Sequence, residues 1–281
     1  MVIRDENLKR SIDYNQGQIE AAHRILIELV NLLAEYQDNI MVIGGWIPEM
    51  MFPGLDHIGS IDVDVLVNHL NMKEAGYQTI ERILLKNDYS RHPEKSFSFV
   101  KTVVVEGEEF PVDVDILAGK YGGSSETHRS QHIHGVAALK ATGGNFAFEV
   151  APNRVKIAGK RPDGAEDSAT VNLVAVAPFL MMKAAALGRG KPKDAYDIFF
   201  VIKNYPGGIK QLAEEFAPFR ERTLVKEGLQ KLADKFASVK HAGPVDVADF
   251  LEQDADSEEK ERIKRDVYEC VSSFLKYVWG K

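Results

Sequence analysis

The sequence predicts an α+β protein: a mixed β-sheet domain flanked by helices over residues 1–176, then a helical C-terminal domain over residues 177–281. Three observations lead there. Short apolar or alternating runs at 40–43, 61–67, 97–105 and 110–117 have the period of two that puts successive side chains on opposite faces of a strand. Residues 17–36 carry Ile19, Ala22, Ile25, Leu26, Leu29, Val30, Leu32, Leu33 and Tyr36 at the spacing of an amphipathic helix. From Pro178 onward the apolar stripes are helical.

The helix over 17–36 leads into the stretch Asn39–Asn68, around which the chain is organised. Ile40–Ile43 is a short apolar strand ending at Gly44-Gly45, where the missing Cβ lets the backbone turn sharply and approach a ligand. Trp46–Phe52 has helical spacing with Pro48 in its first turn, a position that tolerates a missing N–H. The turn therefore lies at a helix N-terminus, where free N–H groups favour phosphate. Ser60 then leads into a second strand, Ile61–Val67, with Ile61, Val63, Val65 and Val67 on one face and Asp62, Asp64 and Leu66 on the other.

A helix is expected over 73–87 (Ala75, Ile80, Ile83, Leu84). The strands 97–105 and 110–117, joined by Glu106–Glu109, read as a hairpin. In the second of these Asp113 and Asp115 share a face, opposite Phe110, Val112, Val114 and Ile116, and the pairing is expected to bring them into the same sheet as Asp62 and Asp64. Residues 118–135 read as a loop by composition. That loop holds His128, His132 and His134, with no Cys to complete a zinc pattern; an exposed loop near the site is the expectation. Short strands are expected at 146–150, 155–158 and 169–174. Phe179, Leu180, Met182, Ala186 and Leu187 give a first C-terminal helix its buried side, Gly188–Pro192 breaks it, and Lys193–Asn204 forms a second. Further helices are expected at 212–219, 224–239, 247–251 and 263–279, closing one wall of the cleft.

Composition bounds the function. An apolar content of 44% is ample for a packed core, so disorder is not the default expectation. No run approaches the length of a membrane-spanning helix, and the N-terminus lacks the apolar segment of a signal peptide. The single cysteine, Cys270, has no internal disulfide partner and falls on a helical pattern, as expected of a core residue in a reducing cytoplasm. A net charge of −7 weighs against a protein that coats nucleic acid.

Strands are depleted in aspartate, so Asp62-Val63-Asp64 directly after a Gly-Gly turn calls for a chemical reason. Two carboxylates two residues apart lie roughly 6.5–7 Å apart along a strand. They can converge on cations held about 3.5–4 Å apart, as in two-metal phosphoryl-transfer sites. A phosphoryl-transfer site also needs cations to balance phosphate charge. Lys183 is the first candidate to reach the phosphates, with Lys191 or Lys193 assisting. Asp194 is a candidate to orient base or ribose, or to act as general base, and Asp197, on the same helical face, to position a lysine.

Strand, Gly-Gly, helix, then a strand with Asp-x-Asp resembles the polymerase-β-like nucleotidyltransferase superfamily. That resemblance implies a nucleotidyltransferase-type sheet and a third acidic ligand on a neighbouring strand. Spacing leaves Asp113 and Asp115 both open; Val-Asp-Ile-Leu followed by a loop is more similar to the family's third motif and favours Asp115. The resemblance narrows at Lys183, Ala186, Arg189 (one place off some versions of the pattern), Lys191, Lys193, Asp194 and Asp197, which look like the later motifs of AbiEii-type nucleotidyltransferase toxins. It implies two Mg²⁺ ions, or Mn²⁺, held by Asp62, Asp64 and Asp115 or Asp113, with Gly44, Gly45 and Ser60 at phosphate oxygens. The implied reaction is attack on the α-phosphorus of an NTP with release of pyrophosphate. Implied too are a tRNA or protein acceptor, an antitoxin partner and a cytoplasmic location. The alternatives are an aminoglycoside-type adenylyltransferase and a non-catalytic nucleotide-binding module.

Overall fold

The computed structural model describes residues 8–72, 74–120, 130–133, 136–252 and 258–280. The chain divides into two compact units, one over Tyr14–Pro178 and one over Phe179–Lys281 together with residues up to Asp13.

The first unit is built on α1 (Gln16–Leu32), β1 (Ile40–Ile43), α2 (Ile47–Met51), β2 (Val63–Val67), α3 (Glu74–Lys86) and β3 (Ser90–Arg91). It continues with β4 (Ser98–Val105), β5 (Glu108–Gly119), β6 (Ser130–Ile133), β7 (Val136–Ala141), α4 (Gly144–Ala147), β8 (Asn153–Lys160) and β9 (Glu166–Leu173). The Asn15 side chain caps α1 by accepting from the Gln18 N–H at 3.2 Å, satisfying one of the donors a helix start leaves open. Helical geometry ends at Leu33, and the expected last turn tightens into a 3-10 stretch, Ala34–Asn39.

The strands run in the order β3-β4-β5-β2-β1-β9-β8, with β7 beside β5 and β6 beside β7. The sheet is mixed. β2 runs antiparallel to β1 and parallel to β5, and β1 meets β9 in parallel at Val42 and Leu173. The β4–β5 hairpin turns on Glu106 and Gly107, both at positive φ (+52° and +87°), the pair of conformations that matches strand twist in a two-residue turn. This fixes the register: Ser98 faces Asp115, and Val100 faces Asp113. Across the other edge of β5, Asp64 stands directly beside Asp115.

The opposite face is apolar. Val63, Val65, Val112, Val114 and Ile116 are buried with Ala22, Ile25, Leu26 and Leu29 of α1, which packs across the sheet. Each such side chain contributes about 1.5–3 kcal/mol of burial. A buried pin adds to it: Lys101 Nζ contacts both Glu28 oxygens at 2.9 and 2.8 Å, and the Tyr89 hydroxyl donates to Glu28 at 2.8 Å.

Several expectations are corrected here. Residues 130–133 are a strand rather than loop, and Val136–Ala141 is a strand that periodicity does not announce. The strand expected at 146–150 is instead a helical turn, Gly144–Ala147, entered through Gly143 at φ +89°. Asp62 precedes β2 rather than lying within it.

The second unit contains α5 (Val176–Ala186, its first residues lying before Phe179), α6 (Pro192–Asn204), α7 (Gly208–Glu215), α8 (Thr223–Lys235), α9 (Ala242–Leu251) and α10 (Glu258–Trp279). α5 gives way to a 3-10 turn at Leu187–Arg189, and Gly190 at φ +74° ends it. Pro192 opens α6, with Asp194 in its first turn where the helix dipole favours negative charge. Ring contacts Tyr196–Phe250 (5.0 Å between centroids) and Phe216–Phe274 (5.3 Å) mark the core. Cys270 is buried in it, its thiol pushed up to about 12 by burial. No helix among the described residues is long and apolar enough to cross a membrane.

Candidate active site

The carboxylates of the sheet unit gather on the face opposite α1. β1 ends at Ile43, directly across from Asp64, and Gly44 follows at φ +78°. A Cβ at Gly44 would stand 2.0 Å from Asp64 Oδ2. The glycine is therefore needed twice, for its left-handed backbone and because the Asp64 carboxylate fills the space beside it. Gly45 and Trp46 are buried in the turn. The Trp46 indole Nε1 donates to the Asp62 carbonyl at 2.8 Å. Ser60, expected at a phosphate, is buried and donates its hydroxyl to Asp62 Oδ1 at 2.6 Å. Backbone and side chain of Asp62 are thus held by separate groups.

β5 completes the cluster, and its two aspartates differ in kind. Asp113 Oδ2 accepts from Lys95 Nζ at 2.7 Å, with His92 Nε2 at 3.8 Å. Asp115 has no such cation in contact: its Oδ1 is buried without a hydrogen-bond partner. Burial pushes the Asp115 carboxyl up to about 6, with the charges of Asp62 and Asp113 adding to the rise and the Ser98 hydroxyl and Lys95 opposing it. A buried carboxylate oxygen without a donor is costly unless something else meets it.

Lys95 and Ser98 escape the sequence reading, as does the indole of Trp46. Their signal was nonetheless present for Ser98. It stands eight residues before the Glu106–Gly107 turn, at the start of β4, and Asp115 stands eight residues after it in β5, so the hairpin pairs them.

The donor set suits a hard divalent cation, which takes oxygen ligands, and the orphaned Asp115 Oδ1 is the feature that fits one. Among the described residues, however, no three His, Cys, Asp or Glu side chains are arranged closely enough to hold a metal ion. The carboxylates share a face and are not drawn together. His128 and His134 lie outside the described residues, as does the side chain of His132.

In the helical unit the later motif forms a buried ion-pair network. Lys183 Nζ lies 2.7 Å from Asp194 Oδ1 and 2.7 Å from Asp197 Oδ2. Lys193 Nζ reaches Asp197 Oδ1 at 3.0 Å. Asp197 is fully buried, and the side chains of Lys183, Lys193 and Asp194 keep only 10–13% exposure. Burial works against the charge on Lys183, but Asp194 and Asp197 outweigh it and raise its pKa. Two ammonium groups and two carboxylates cancel. Lys183 and Lys193, expected to reach phosphate, are engaged inside their own unit, and Asp197 positions both. Lys191 stands just before Pro192 at the head of α6, and Arg189 is exposed.

Comparison of the chain with known proteins finds no matching family model, no matching curated protein and no matching solved structure.

Proposed function

We propose that the chain is a metal-dependent nucleotidyltransferase that moves an NMP from an NTP to an acceptor and releases pyrophosphate. One observation carries the reading. Asp64 stands beside Asp115 on one sheet face next to a Gly-Gly turn, with Asp62 just before β2, and Asp115 Oδ1 is buried and unpartnered. A fold with no use for cations would gain by replacing that aspartate.

In this reading Asp62, Asp64 and Asp115 would hold Mg²⁺ or Mn²⁺, which would supply charge stabilisation for the triphosphate and lower the pKa of the acceptor hydroxyl. Asp115 rather than Asp113 is taken as the third ligand, because its Oδ1 is buried without a hydrogen-bond partner. Ser60 and Trp46 keep Asp62 aimed at the face, and Gly44 leaves room for the Asp64 carboxylate while its neighbour Gly45 lets the backbone come close to phosphate. The acceptor hydroxyl attacks the α-phosphorus in line, and its proton passes to a carboxylate of the cluster. Pyrophosphate leaves. Lys183, Lys193, Asp194 and Asp197 serve as a clamp between α5 and α6 rather than as free phosphate ligands.

The acceptor is proposed to be tRNA or protein, and the biological setting a toxin held in check by an antitoxin protein, on the resemblance to AbiEii-type toxins. The test is transfer from each α-labelled NTP in Mg²⁺ to total tRNA and to protein, beside an Asp62→Ala/Asp64→Ala control. Label that reaches either acceptor and vanishes in the control supports the reading. Label that survives in the control removes the aspartates from the chemistry.

A further inference from the structure

The segment between β3 and β4 is built to present one side chain. The His92 N–H donates to the Ser98 carbonyl at 2.9 Å, and the Ser98 N–H to the Lys95 carbonyl at 3.1 Å. His92 Nδ1 accepts from the N–H groups of both Glu94 (3.0 Å) and Lys95 (3.1 Å). Because Nδ1 accepts, the ring proton of neutral His92 resides on Nε2, the nitrogen facing Asp113. The Ile116 N–H donates to the Phe97 carbonyl at 2.9 Å, tying the segment to β5. A six-residue connection with this many internal bonds fixes where the Lys95 stem begins.

The ammonium at the other end of that stem has one carboxylate in hydrogen-bond contact, Asp113 at 2.7 Å. Lysine has three N–H donors. The side chain is 41% exposed, so water reaches it. Burial alone would lower the pKa of Lys95, but the Asp113 hydrogen bond and the charges of Asp115, Asp113 and Asp62 outweigh it and raise it. Asp62, Asp113 and Asp115 thus act on Lys95, and Asp64 stands beside Asp115 on the same face. A divalent cation entering that face meets a positive charge already there, and like charges at short range in a partly buried site repel.

We propose that Lys95 is the resident cation of this site. Its ammonium, paired with Asp113, balances the charge of the aspartate face while no metal is present, gives up that position when a divalent cation enters, and then pairs with the phosphate oxygens of the nucleotide. This rests on the metal-site reading above and deepens it. It also accounts for carboxylates that share a face without being drawn together: the face is set by an ammonium at its edge rather than by a metal at its centre.

The test measures binding rather than turnover. Affinity for Mn²⁺ alone, and then for α,β-methylene ATP in saturating Mn²⁺, is measured on the full chain for the native protein, Lys95→Met and Lys95→Gln. Thermal melts check folding, and the glutamine variant keeps a hydrogen bond to Asp113 without the charge. Both variants are expected to bind Mn²⁺ tighter by about 3- to 10-fold, the size expected for one partly exposed charge. Both are expected to bind the nucleotide about 10-fold more weakly, through loss of a charge-assisted phosphate contact. If either change is absent in both variants, the proposal is overturned. An Asp62→Asn/Asp64→Asn variant separates the two levels. Mn²⁺ binding that needs those aspartates but ignores Lys95 overturns this inference alone; Mn²⁺ binding that ignores the aspartates overturns the site reading and this inference with it.

Discussion

Replacing Asp115 by asparagine should make the protein more stable and remove its metal site. The carboxyl is pushed from its usual 3.8 to about 6, first by burial and then by Asp62 and Asp113. A carboxyl whose pKa is raised by folding carries no penalty below pH 3.8, where both states are protonated. The penalty grows as pH climbs toward 6 and is constant above it. At about 1.4 kcal/mol per pH unit, the folded protein gives up about 3 kcal/mol at pH 7.5, or about 2 kcal/mol once partial solvent access to the residue is allowed for. Asparagine keeps the shape, still accepts from Ser98, and removes the charge. Urea denaturation in a chelator, at half-unit steps from pH 4 to pH 8, reads the difference directly. The variant should match the native protein near pH 4, overtake it between pH 4 and 6, and hold a lead of about 2 kcal/mol above that. Added Mn²⁺ should then raise the stability of the native protein and leave the variant unchanged. A variant that is no more stable at pH 7.5, or whose lead does not vary with pH, would show that Asp115 is not a destabilising buried acid, and the argument for its role would fail.

Gly44→Ala should cost about 1–3 kcal/mol in urea denaturation, from the left-handed backbone and the collision with Asp64, and should abolish Mn²⁺ binding because Asp64 has to move. Trp46→Phe leaves the Asp62 carbonyl without its donor; a loss of about 1 kcal/mol is expected, with weaker Mn²⁺ binding measured by titration calorimetry. Asp197→Ala takes a carboxylate from both Lys193 and Lys183, leaving Lys183 with Asp194; a loss of about 3–5 kcal/mol by denaturation is expected, whereas a loss below 1 kcal/mol would show that the clamp in the helical unit is not a buried ion pair.

The parts of this protein legible in its sequence are those set by local rules. The strand Ile40–Ile43 stops at a glycine that its own φ demands, and the Glu106–Gly107 turn dictates a hairpin whose register delivers Asp113 and Asp115 to one face. Where composition misleads, the strand is missed. Ser130–Ile133 lies in a Gly-, Ser- and His-rich stretch that reads as loop, and Val136–Ala141 is full of alanine and leucine, good helix formers, yet is held extended by β5 and β6. Tertiary pairing overrides propensity there. Long-range pairing is invisible too: nothing local places Asp64 beside Asp115, or β1 beside β9.

At the site, the aspartates declare themselves by being unusual residues for strands, and Gly44 by its turn. Lys95 does not, because a lysine in a polar loop is the commonest of surface residues and only the folded His92–Ser98 turn shows where it points. The lysines of α5 and α6 mislead in the opposite direction. Their spacing alone suggests open cations, whereas the helix faces that carry them also carry Asp194 and Asp197, which absorb both charges.

The measurement that tests nucleotidyl transfer most directly runs α-labelled and γ-labelled NTP side by side with the native protein, Mg²⁺, total tRNA and a whole-protein fraction. The account predicts that α-label stays on a macromolecule, that γ-label appears only in pyrophosphate, and that both signals disappear in Asp64→Asn. Retention of γ-label on the acceptor would mean phosphoryl transfer instead, and α-label transfer that persists in Asp64→Asn would contradict the assignment of the aspartate face as the catalytic centre.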